Sequence, residues 1–149
     1  MRILHTLVIM FIGSFIIQYF FMSTIMASSI ENITNSLGKV YLSIIMGLYM
    51  MFLEIMMHDH QYNVFSMKYY IIIGCLLGLF IYLYRAQKYI SDKEYLKEMI
   101  EHHSMALLTS NKILEKTDNY NTSKLAKNII QKQEDEIRDM KGVLTDLEK

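Results

Sequence analysis

The sequence predicts an all-α protein, with three transmembrane helices followed by a water-facing αα-hairpin. Three observations carry this. Apolar runs long enough to cross a bilayer lie before Arg85, and most of the charge lies after it. The 149 residues include no proline, which suits uninterrupted helices. Hydrophobic residues make up 52% of the chain, and their abrupt thinning past Arg85 reads as a membrane part joined to a soluble part.

The first apolar run spans about residues 3–27. As a helix it is ~37 Å long, enough to cross a ~30 Å hydrocarbon core. A secretory signal cleaved near Ala27 is the rival reading, but a signal's apolar core is usually ~7–15 residues long. The second run, about 40–57, follows a polar loop containing Glu31, Asn32, Asn35 and Lys39. The third, about 70–84, is closed by Arg85 and Lys88. Tryptophan is absent, so Tyr69, Tyr70, Tyr82 and Tyr84 are the interface anchors. Residues 1–90 are thus read as a membrane domain with the lipid bilayer as partner. Three spans place the termini on opposite sides. Charge does not settle which: Arg2 and Lys68 favour an inside N-terminus, whereas Lys39, Arg85 and Lys88 favour the reverse.

Two features mark the spans. Gly74 and Gly78 form a G-x-x-x-G, which lets helix backbones approach closely. On the second span Met46, Met50, Glu54, Met57 and His58 share one helix face. An ionisable residue in a span is costly, so this face is a candidate membrane site. The plainer reading is that Glu54 snorkels to the interface.

Residues 91–149 form the hairpin. Ser91 with Glu94 is a capping box that starts a helix. Leu96, Met99, Ile100, His103, Ala106, Leu107, Ser110 and Leu114 then recur at helical spacing. Asp118-Asn119-Tyr120-Asn121 is a turn, and a second helix begins near Thr122. Its stripe is Leu125, Ile129, Ile130, Gln133, Ile137, Met140, Leu144 and Leu147. So small a hairpin buries little apolar surface alone, so it is expected to self-associate into a four-helix bundle or lean on the spans.

Chemistry is best sought around Glu98–Ala106. Met99, His102 and His103 are expected to cluster on the inner face, with Met105 at the flank. Gln133, Ile137 and Met140 form the facing row, with Glu136 beside it. Imidazole with soft thioethers suits copper(I) or silver(I). Thirteen methionines, beyond what membrane filler needs, point the same way. The H-E-x-x-H, Glu-x-x-His and cysteine-pair signatures of other metal sites are missing. The rival reading is that these histidines are packed, hydrogen-bonded residues and the methionines gap filler. Zero formal net charge supplies no field to attract nucleic acid. Cys75, the one cysteine, has no intrachain partner.

The run Met99-Ile100-Glu101-His102-His103-Ser104-Met105-Ala106, with Ala126, Ile129, Gln133, Glu136, Ile137, Met140 and Leu144, resembles the domain of unknown function 305 family. Met46, Met50, Glu54 and Met57 resemble the Met-rich span of its longer members. The resemblance implies a ferritin-like helical bundle and a non-enzymatic role in copper or silver homeostasis. It implies Met99, His102, His103 and Met140 as ligands, with Gln133, Glu136 and Met105 as supporting positions. It also implies an integral protein of the plasma or inner membrane with an extracytoplasmic or periplasmic hairpin. Thr109-Ser110 departs from the family, where a further methionine often stands. The alternative expectation is a membrane-anchored helical interaction module without metal, its histidines structural.

Overall fold

The structure, a computed structural model, describes residues 3–149 and is all-α. Arg2, whose charge entered the orientation argument, lies outside the described residues. The helices are α1 (Ile3–Ile16), α2 (Ser23–Met26), α3 (Leu37–Tyr62), α4 (Met67–Arg85), α5 (Asp92–Leu114) and α6 (Tyr120–Leu147). A π-helical stretch, Ile17–Met22, joins α1 to α2, and a 3-10 turn, Ile30–Asn32, lies between α2 and α3. Ile3–Met26, Leu37–Tyr62 and Met67–Arg85 are long and apolar enough to cross a membrane.

The chain divides into two compact units. The first holds Met1–Phe21 and Leu37–Tyr89. Its core is Leu7, Leu48, Ile55 and Ile73, flanked by Phe11, Phe52, Leu77 and others. Helix α1 packs on α3, and α3 on α4. Close approach of α1 needs Gly47, where a Cβ would stand 2.7 Å from the Phe11 ring. Gly74 and Gly78, by contrast, face open space.

Helix α3 runs five residues past the apolar stretch, to Tyr62, because two devices finish it there. Asn63 adopts a left-handed backbone (φ 49°) and the Val64 amide reaches back to the Asp59 carbonyl, a Schellman closure. The Asp59 carboxylate then accepts from the Ser66 amide (2.6 Å) and hydroxyl (2.8 Å), which sets the start of α4. Helix α4 ends in the same manner, with Gln87 at φ 48° and Lys88 bonded to the Leu83 carbonyl.

The second unit holds Met22–Ser36 and Ile90–Lys149. Helices α5 and α6 pair as a hairpin around Ile100, Leu107 and Ile137, with Ile130, Met140 and Leu144 packed against them. The Ser91 side chain accepts from the Glu94 amide at the start of α5. Asn119 accepts from the Thr122 amide at 2.9 Å and starts α6, two residues before the expected position. The segment before α3 lies along α5 through α2 and the 3-10 turn, a pairing no sequence periodicity announces.

Candidate functional site: the polar faces of α5

A helix turns about 100° per residue, so neighbours cannot share a face. His102 and His103 therefore diverge. His102 is exposed, whereas His103 is half-buried toward α6. The His103 Nδ1 donates to the Met99 carbonyl at 2.7 Å, and its Nε2 lies 2.9 Å from Glu136 Oε2 on α6. Gln133 Nε2 also donates to Glu136 Oε2, at 3.4 Å. With Nδ1 against the Met99 carbonyl and Nε2 against the Glu136 carboxylate, both ring nitrogens lie against oxygens of the hairpin, and His103 braces α5 to α6.

The expected ligand set does not form. Met99 meets His103 through its backbone carbonyl, and Met140 packs with the apolar core of the hairpin. Met105 is half-buried, its carbonyl accepting from Thr109 at 3.2 Å. Glu136 meets His103 directly, and Gln133 acts on it only through Glu136. Among the described residues no three His, Cys, Asp or Glu side chains converge to hold a metal ion. The copper(I) or silver(I) cofactor, and the metal-homeostasis role that rested on it, are thereby overturned.

The face of α5 next to the apolar stripe holds what the sequence reading missed. Glu101 is 6% exposed. Its carboxylate accepts from the Ser23 hydroxyl and, at 3.0 Å, from the Thr34 amide. The Thr34 hydroxyl donates to the Lys97 carbonyl at 2.6 Å. One turn on, the fully buried Ser104 Oγ accepts from the Ser28 amide (2.9 Å) and from Asn32 Nδ2 (3.3 Å). A carboxylate and a hydroxyl on α5 thus accept hydrogen bonds from the backbone and side chains of an irregular segment. Asn32 opens a glycosylation triplet, Asn32-Ile33-Thr34, yet its amide is committed to Ser104. The available signal was the density of hydroxyls just past α1, at Ser23, Thr24, Ser28 and Ser29.

The membrane face divides. Met46 is exposed and Met50 half-buried, whereas Glu54, Met57 and His58 line a cavity of about 460 Å3 with Thr6, Gln61 and Tyr62. His58 Nδ1 lies 3.2 Å from Asp59 Oδ1.

Residues 82–147 match the model of the family described as Domain of unknown function (DUF305). Over 139 residues the chain is 32% identical to Uncharacterized protein L153 of Acanthamoeba polyphaga mimivirus, covering 93% of this chain and 90% of that protein. The C-terminal part of the chain belongs to the DUF305 family. The match spans α5 and α6, where His103, Glu136 and Ile137 lie, and begins within α4. No solved structure gives a significant match.

Proposed function

We propose that this DUF305 protein is a membrane-anchored helical interaction module, non-enzymatic and without metal, whose histidines are structural. The observation that carries this is the engagement of both His103 nitrogens, one by Met99 and one by Glu136. Three helices of spanning length and apolarity support the anchor. With three crossings, residues 27–36 and 90–149 emerge on one side of the bilayer, which agrees with the bonds of Ser28 and Thr34 to α5.

The partner is a second copy of the chain. The hairpin core centres on Ile100, Leu107 and Ile137, little for a free-standing unit. Leu125 (60% exposed) and Val143 (52%) lie five helical turns apart on one stripe of α6, available for pairing into a four-helix bundle. The test uses the full chain in lipid nanodiscs with Cys75→Ser as background. Cysteines placed at 125 or 143 should form disulfide-linked dimers, and Leu125→Asp with Val143→Asp should yield monomers. A chain that is monomeric by mass at all working concentrations overturns the self-association.

A further inference from the structure

The cavity beside Glu54 is the polar exception in an otherwise apolar set of helices. Its lining pairs a carboxylate, an imidazole, an amide and a hydroxyl with the Tyr62 ring and Met57. Among the described lining residues none is Lys or Arg, and the Glu54 carboxylate favours a cation. Glu54 has no hydrogen-bond or ion-pair partner among the described residues. A half-buried carboxylate is stabilised when a donor reaches it.

His58 adds a second acceptor. Asp59 already accepts two hydrogen bonds from Ser66, and it acts as acceptor toward His58 Nδ1 as well. The proton of a neutral imidazole is therefore held on Nδ1, which leaves Nε2 as a bare lone pair. The Tyr62 ring, 4.7 Å from the His58 ring, adds a π face favourable to a cation. The cavity lies where the apolar run of α3 gives way to His58, Asp59, His60 and Gln61, the level of lipid headgroups. Leu53 and Met56, exposed on the same stretch, are suited to acyl chains.

We infer that this recess binds a primary ammonium group, that of a bilayer amphiphile such as phosphatidylethanolamine. Glu54 and His58 Nε2 accept its N–H donors, and an oxygen of Gln61 or Thr6 supplies a third acceptor. A quaternary ammonium has no N–H to give and is disfavoured. The inference rests on the membrane-crossing part of the reading above and not on the hairpin's partner.

The test is native mass spectrometry of the full chain released from nanodiscs that contain equal phosphatidylethanolamine and phosphatidylcholine. The expected result is about tenfold retention of the primary amine lipid over its trimethylated counterpart. Glu54→Gln, close in size, should bring the ratio to within about twofold, and Thr6→Val should lower it less. Soluble phosphoethanolamine added as competitor separates sources. Displacement of the lipid assigns the site to the amine in general, and lack of displacement assigns it to the lipid. Both support an ammonium site. Equal retention of the two lipids, or a preference untouched by Glu54→Gln, overturns the inference. Alkaline extraction of the same samples reports membrane insertion separately, and circular dichroism reports whether each variant is folded.

Discussion

The unit containing α5 and α6 and the unit containing α1, α3 and α4 hold together by different means. Seven of the nine buried polar residues among those described lie in the former: Ser23, Asn32, Ser36, Glu98, Glu101, Ser104 and Ser110. The latter is centred on Leu7, Leu48, Ile55 and Ile73, and at Gly47 the Phe11 ring packs against a glycine. Apolar faces specify geometry by shape alone, and the penalty for misfit is steric. Buried polar groups specify it by direction, and the penalty for misfit is a lost partner. A unit that buries seven polar residues beside its apolar core relies on the second device, which fits a segment such as 22–36 that makes no long helix.

The largest effect is therefore expected at Glu101. Glu101→Ala leaves the Ser23 hydroxyl and the Thr34 amide without their acceptor in a buried setting. The cost is about 3 kcal/mol, since hydrogen bonds to a charged group are involved. Hydrogen exchange across residues 22–36 should accelerate, and α1 should be unaffected. Unchanged protection at Thr34 would show that the segment is held by something other than this carboxylate.

Gly47 is the matching test in the apolar unit. Gly47→Val places a Cβ 2.7 Å from the Phe11 ring and 3.2 Å from its carbonyl oxygen. The expected cost is about 2 kcal/mol, read as lowered thermal stability in detergent. Phe11→Leu should recover part of it, because the ring is the first obstacle. Gly74→Ala and Gly78→Ala meet open space and should be tolerated. If Gly47→Val is as mild as these two, α1 and α3 do not approach as described.

Ser104→Ala returns to the polar unit with a neutral group. It removes the acceptor used by the Ser28 amide and Asn32 Nδ2. The cost should be about 1.5 kcal/mol, half that at Glu101, because no charge is involved. Faster exchange confined to Ser28 and its neighbours is the expected readout. A loss equal to that of Glu101→Ala would mean that the two residues act as one network instead of two separate ties.

These tests also separate what the sequence disclosed from what it hid. Apolar runs, the Ser91 cap and the Asn119 turn were readable because each depends on residues within one or two turns of each other. The extension of α3 to Tyr62 was hidden because Asp59 works through Ser66, across a turn whose backbone is set by Asn63. The ties of Glu101 and Ser104 were hidden more deeply. Their partners lie 67 to 78 positions away, and a glutamate on a helix reads as a solvated charge unless that distant segment is known to cover it. The error over the metal was of another kind. Met99, His102 and His103 were grouped by i+3 and i+4 spacing from one methionine, although the two histidines stand one residue apart and so about 100° from each other.

That angular difference makes the smallest prediction the sharpest one for the histidines. His102→Ala removes an exposed side chain and should change stability by less than about 0.5 kcal/mol. His103→Ala breaks a brace whose Glu136 end is 54% exposed, so solvent screening limits the loss to about 1 kcal/mol. His103→Gln, able to bond one partner but not both, should fall between them. The order matters more than the magnitudes, because only a residue directed at α6 can weaken the hairpin when removed. In a copper(I) competition titration both alanine variants should match the parent chain. Equal destabilisation at the two positions, or a copper(I) affinity that drops in both, would place the imidazoles on a common face and remove the basis for treating His103 as a brace.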